Sequence, residues 1–207
     1  MDGPTYPRDR TGVLLVDPYN DFISEGGKVQ PKAKAVMDAV GTVAHMREVV
    51  DAARAAGIRV FYVPHHRSRP GDFTAWKYPT PYQQGAARVQ VFAEDDWGGE
   101  WHPDFQPHDG DIVASHHWSS GFAGTDLDVQ LRQHGIDRIV LVGLLANTCI
   151  EATGRYGMEL GYHVTLVRDA TAAYSEEAMR CAHDINGPTY AHAIVDTATL
   201  LAAFPRD

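Results

Sequence analysis

Four short runs of valine, isoleucine and leucine punctuate the chain: GVLLVD at 12–17, IRVFYVP at 58–64, RIVLVG at 138–143 and HVTLVR at 163–168. None alternates apolar with polar, so each reads as a strand buried on both faces, the mark of a parallel sheet. Between them lie stretches of helical period. Residues 32–56 are alanine-rich and stop at Gly57, 125–134 stop at Gly135, and 148–160 stop at Gly161; glycine just past a periodic run is a helix stop. DIVAS at 111–115 and a weak run at 193–196 complete six strands, with helices at 175–184 and 198–203. Regular strand–helix alternation predicts an α/β three-layer domain over 1–207 with a six-stranded, mostly parallel sheet and right-handed crossovers. Residues 68–107 break the rhythm. They are rich in Pro, Gly, Trp and Asp and read as a long excursion with at most a short helix, of the kind that carries function.

The chain has 207 residues and a net charge of -9. That charge argues against nucleic acid or an anionic membrane as partner, since both need a basic surface. Two cysteines, Cys149 and Cys181, are too few for a disulfide framework or a zinc cluster. MDGPTYPRDRTG lacks the apolar core of a signal peptide, so a cytoplasmic, reduced protein is expected.

Ligands of an open parallel sheet bind beyond the carboxyl ends of its strands, near the point where strand order reverses. Just past the strands stand Asp17, then His65 and His66, then His116, His117 and Trp118, then the loop to Cys149, then Asp169. Cys149, in GLLANTCIEATGR, falls in the first turn of its helix, where unpaired amides and the helix dipole are expected to lower a thiol pKa. The LLAN turn before it can aim backbone N–H groups at an oxyanion. A nucleophilic thiol needs a proton acceptor, and Asp17 and His116 are the candidates. Cys181 sits mid-helix and fits a packing role.

These residues resemble the isochorismatase-like cysteine hydrolases, which include nicotinamidases, N-carbamoylsarcosine amidase, ureidoacrylate-type amidohydrolases, streptothricin hydrolase and isochorismatases. The likeness spans about 11–204 and rests on GVLLVDPYNDF, DGDIVASHHWSSGFAGTDLDVQL and IVLVGLLANTCIEATGRYGMELGYHVTLVRDATAAYS in that order. The resemblance implies a Rossmann-like fold, Cys149 as nucleophile, Asp17 as the group that takes its proton, a cis peptide between Leu145 and Ala146, and an oxyanion hole made by the amides of Ala146 and Cys149. It implies a hydrolase that cleaves an amide, lactam, carbamoyl or ureido C–N bond of a small molecule through a thioester-type intermediate, without a cofactor. It also implies a homodimer or homotetramer.

Two departures stand out. The family keeps a lysine where His116 aligns, and no lysine follows Lys77. His116 is therefore expected to complete an Asp–His–Cys set, with Lys28 as the other candidate for the lysine's place. The metal-holding Asp of the nicotinamidase branch is missing from VPHHRSRP, so no metal is expected, although His65 or His66 with His102 leaves a weak site conceivable. Tyr19, Phe22, Lys28, His65, Trp76, His117 and Trp118 are the candidate substrate-binding residues, with Trp97 beside them. The competing readings are a vinyl-ether hydrolase of isochorismatase type, in which an Asp serves as general acid, and a binding protein that has lost the lysine.

Overall fold

The computed structural model describes residues 4–206. Six strands form one sheet, in the order β3-β2-β1-β4-β5-β6, with every neighbouring pair parallel. They are β1 (Thr11–Val16), β2 (Arg59–Val63), β3 (Ile112–Val113), β4 (Arg138–Leu144), β5 (His163–Ala172) and β6 (Ala193–Val195). The helices are α1 (Asn20–Ile23), α2 (Gln30–Val40), α3 (Thr42–Ala55), α4 (Pro81–Arg88), α5 (Leu127–Gln133), α6 (Glu151–Glu159), α7 (Glu176–Arg180) and α8 (Thr197–Ala203). Among the described residues no helix is long and apolar enough to cross a membrane.

Alternate residues of each strand face opposite sides of the sheet, and both sides are covered. Val13 and Leu15 of β1 join one core cluster with Met46 and Val49 of α3 and Leu200 of α8. Leu14 and Val16 join the other, with Leu127 and Leu131 of α5. This double burial explains the unbroken apolar runs.

Several elements differ from the sequence reading. The helix expected over 32–56 is two helices, because Gly41 takes φ 69° and ends α2. β3 has two residues rather than five. β5 runs on to Ala172 past a register shift against β4. The helix expected over 175–184 is α7 followed by a π-helical turn, Cys181–Asn186. Asp169 is thus inside β5, where its carboxylate caps Thr197 through the backbone N–H and hydroxyl at 2.8 Å each.

The excursion 68–107 contains α4 and two 3₁₀ turns. A buried carboxylate pins it down. Asp21, 1% exposed, accepts from the Phe92 N–H at 2.7 Å and the Lys28 N–H at 2.9 Å. Gly98 lets it come that close, since a Cβ there would lie 2.3 Å from Asp21 Oδ1. α4 is held more lightly. A capping box between Thr80 and Gln83 starts it, yet it buries none of its residues.

Candidate active site

Strand order reverses between β1 and β4, and the chain places its reactive groups at that reversal. Asp17 directly follows β1 in a left-handed conformation (φ 55°), with its N–H bonded to the Val63 carbonyl at 3.2 Å. This turn swings the carboxylate into the protein, where it is fully buried. Near the end of β4 Gly143 takes φ 118°, and a Cβ there would lie 2.1 Å from the Val16 carbonyl oxygen, so only glycine lets β4 pass β1 at this point. A cis peptide follows between Leu144 and Leu145, one bond earlier than expected. The π-helical turn Ala146–Ile150 then carries Cys149 and runs into α6.

The histidine that meets Asp17 is His117 and not His116. Its Nε2 lies 3.0 Å from Asp17 Oδ1, and both side chains are fully buried. His116 is exposed. The cause is a one-residue slip at the sheet edge. Tyr62 pairs with Val113, so an unbroken register would pair His65 with His116; instead His65 pairs with His117. One extra residue on the β3 side reverses which side chains face inward. Backbone bonds from His117 to Pro64 (2.8 Å) and from His66 to His117 (2.6 Å) hold the shifted register.

Atoms of Asp17, His117 and Cys149 all lie within 4.8 Å of one another. Among the described residues this is the convergent set of donors able to hold a metal ion, and an ion there would engage the thiol. His65, His66 and His102 form no such set. His65 Nδ1 lies 2.8 Å from the His66 carbonyl, His66 Nε2 2.8 Å from Asp72, and His102 Nδ1 accepts from the Asp104 N–H at 3.1 Å.

The electrostatics reverse one expectation. The Cys149 thiol is pushed well above the ordinary range: burial comes first, then the Asp17 charge and the hydrogen bond to that carboxylate. Desolvation and an adjacent anion outweigh the helix terminus. The resting thiol is protonated and faces its base. His116 is pushed down by desolvation first and then by the Arg67 charge, so it is neutral at pH 7. The His65 ring is likewise pushed down, by burial.

The remaining expected residues divide into support and rim. Tyr19 is fully buried, stacks on Trp101 at 5.0 Å and donates to the His65 carbonyl at 3.0 Å. Phe22 is 4% exposed and packs edge-on against Phe92. Both hold the rim up from beneath. Lys28 does not reach the centre, since its amine is tied to Asp96 at 2.7 Å and the Gln90 carbonyl at 2.8 Å. Trp76 and Trp118 are exposed at 44% and 39% and form an aromatic patch with Phe73 and His66.

Tyr82, Tyr174 and Arg67 escaped the sequence reading. Tyr82, on α4, has an exposed ring whose hydroxyl tip turns inward to Tyr174; both phenols are pushed up, by desolvation first, and both lie close enough to Cys149 to feel it. Nothing in the local pattern of PTPYQQ marks that contact, which depends on how the excursion folds back. A surface cleft between α4 and Gly71–Thr74 is lined by none of Asp17, His117 and Cys149.

Comparison with known proteins agrees with this architecture. The isochorismatase domain family model matches residues 11–194. Ureidoacrylate amidohydrolase RutB of Rhizobium rhizogenes is 32% identical over 177 residues, covering 81% of this chain and 72% of that protein. N-carbamoylsarcosine amidase from Thermoplasma acidophilum superposes with a TM-score of 0.65 at 29% identity, covering 91% of this chain and 96% of that one. A cysteine hydrolase from Pseudomonas syringae pv. phaseolicola shares the fold with a TM-score of 0.77 at 24% identity over 99% and 98% of the two chains. The chain therefore belongs to the isochorismatase family.

Proposed function

We propose that this chain, an amide-type C–N hydrolase by its family and relatives, works through a covalent intermediate on Cys149 and takes a small ureido or amide compound. The observation that carries the reading is the fully buried Asp17–His117 pair set against a protonated thiol.

As Cys149 Sγ attacks the carbonyl carbon, its proton passes to Asp17 and the carbonyl π electrons move to oxygen. The amides of Ala146 and Cys149, on the turn that carries the thiol, are the donors we assign to that oxyanion. Collapse expels the nitrogen, which takes the proton back from Asp17 and leaves as amine or ammonia. Asp17 then deprotonates a water that attacks the thioester, and the acid leaves as the thiol is reprotonated. His117 Nε2 steadies Asp17 in both halves, while its buried Nδ1 has no partner among the described residues and is left for water or a polar group of the substrate.

The test is a Cys149→Ala variant on a panel of small ureas and amides, with mass spectrometry of the native enzyme during turnover. An acyl adduct on Cys149 and loss of hydrolysis in the variant support the mechanism. Equal hydrolysis with and without the thiol sinks it, and points to a vinyl-ether or other thiol-free chemistry.

A further inference from the structure

We propose that Arg67 is a specificity-determining residue, whose guanidinium receives a carboxylate on the substrate whose C–N bond Cys149 attacks. This rests on the hydrolase reading above and adds the substrate's charge to it.

Arg67 follows β2 by four residues, on the rim that carries Asp17 and His117. Its guanidinium carbon lies 5.7 Å over the Tyr19 ring. This contact, with a hydrogen bond from Arg67 to the Tyr19 hydroxyl, orients the planar fork and leaves its remaining N–H groups for a ligand. The guanidinium is half-buried, and its buried Nε has no hydrogen-bond partner.

The neighbouring cations are satisfied. Lys28 is paired with Asp96, Arg69 with Glu94, and Arg54 with Asp111. Among the described residues Arg67 has no such ion pair. In a chain with a net charge of -9, acids are plentiful, so a shortage of carboxylates is not the cause. A desolvated charge without a counterion is costly to keep, and a bidentate anion from the ligand relieves it.

Position fits the role. Arg67 is close enough to His116 and Tyr19 for its charge to act on both, while Cys149 is close enough to act on Tyr82 and Tyr174. The two ends of an elongated small molecule would thus meet different chemistry: a neutral, hydroxyl-lined end at Cys149 and a cationic end at Arg67. Of the groups that a ureido or amide compound commonly carries, a carboxylate matches the planar fork.

The experiment compares 3-ureidopropionate with n-butylurea, which has the same ureido group and no charge. Binding is measured by calorimetry on the Cys149→Ser variant, with and without Arg67→Gln, and release of ammonia is followed in the native enzyme. The acid is expected to bind about 10- to 100-fold more tightly than the neutral urea, and Arg67→Gln is expected to erase that preference while n-butylurea binding stays the same. A preference that survives Arg67→Gln, or no binding of the acid at all, overturns the assignment. If the acid binds through Arg67 but releases no ammonia, the hydrolase reading fails for such ureas and the anion site stands. Should Arg67→Gln not fold, Arg67→Lys keeps the charge without the fork. It is expected to retain only part of the preference, and full retention would count against bidentate recognition.

Discussion

His117 Nε2 lies 3.0 Å from Asp17 Oδ1, and neither side chain reaches solvent. The adjacent His116 is exposed. Two neighbouring residues of the same type therefore have opposite consequences. His117→Ala is expected to lower kcat about 10²- to 10⁴-fold, in the range of a lost acid–base partner, and His116→Ala to change it less than about threefold. Steady-state kinetics on a cleaved urea decide this, and a larger loss in the His116 variant would refute the assignment.

The raised Cys149 thiol predicts its own reactivity. Alkylation by iodoacetamide requires thiolate, so labelling of Cys149 in the free enzyme should be slow near pH 7 and still rising where an ordinary thiol has levelled off. Asp17→Asn removes the repelling charge and should move that labelling curve to lower pH, even as hydrolysis falls. Peptide mapping after timed alkylation separates the two effects; a curve unmoved by Asp17→Asn would contradict the coupling.

The same shift has a signed effect on stability. The folded thiol keeps its proton above the pH, about 8.5, at which the unfolded chain loses it. The unfolded state then binds fewer protons, so stability should fall as pH rises through that range. Cys149→Ala removes this contribution. Denaturant midpoints between pH 7 and pH 10 should fall less steeply in the variant than in the native protein.

Gly143 predicts a folding defect. Its φ of 118° and the 2.1 Å approach of an added Cβ to the Val16 carbonyl leave Gly143→Ala no relaxed position. A loss of about 3 kcal/mol or more is expected. Gly124→Ala, with φ 73° and nothing within 4 Å, should cost only about 1 kcal/mol. Thermal unfolding of both variants makes the comparison.

Tyr82 hydrogen-bonds Tyr174 close enough to Cys149 to feel it, from a helix that buries none of its residues. Tyr82→Phe removes only the hydroxyl. A KM increase of about 3- to 30-fold is expected, the range of a lost hydrogen bond, with the melting temperature unchanged. A drop in kcat alone would place the hydroxyl in the chemistry instead.

Much of this was legible in the chain itself. The runs around Leu14, Phe61, Leu141 and Leu166 mark strands because burial on both faces requires apolar side chains in both registers. Asp17 and Cys149 could be placed at one rim because in a parallel sheet every strand ends at the same edge. The local pattern does not contain the partner of Asp17. His116 and His117 are chemically identical, and the choice between them was made by one extra residue between the Val113 and His117 pairings, a fact about β2 and β3 together. Likewise, Cys149 holds its proton because folding strips water from it and sets Asp17 beside it; the helix terminus that the sequence does reveal is the weaker influence. Sequence determines which groups lie at the strand ends, since periodicity is local. Which of them touch, and which keep their protons, depends on register and desolvation, and these exist only once distant segments have packed.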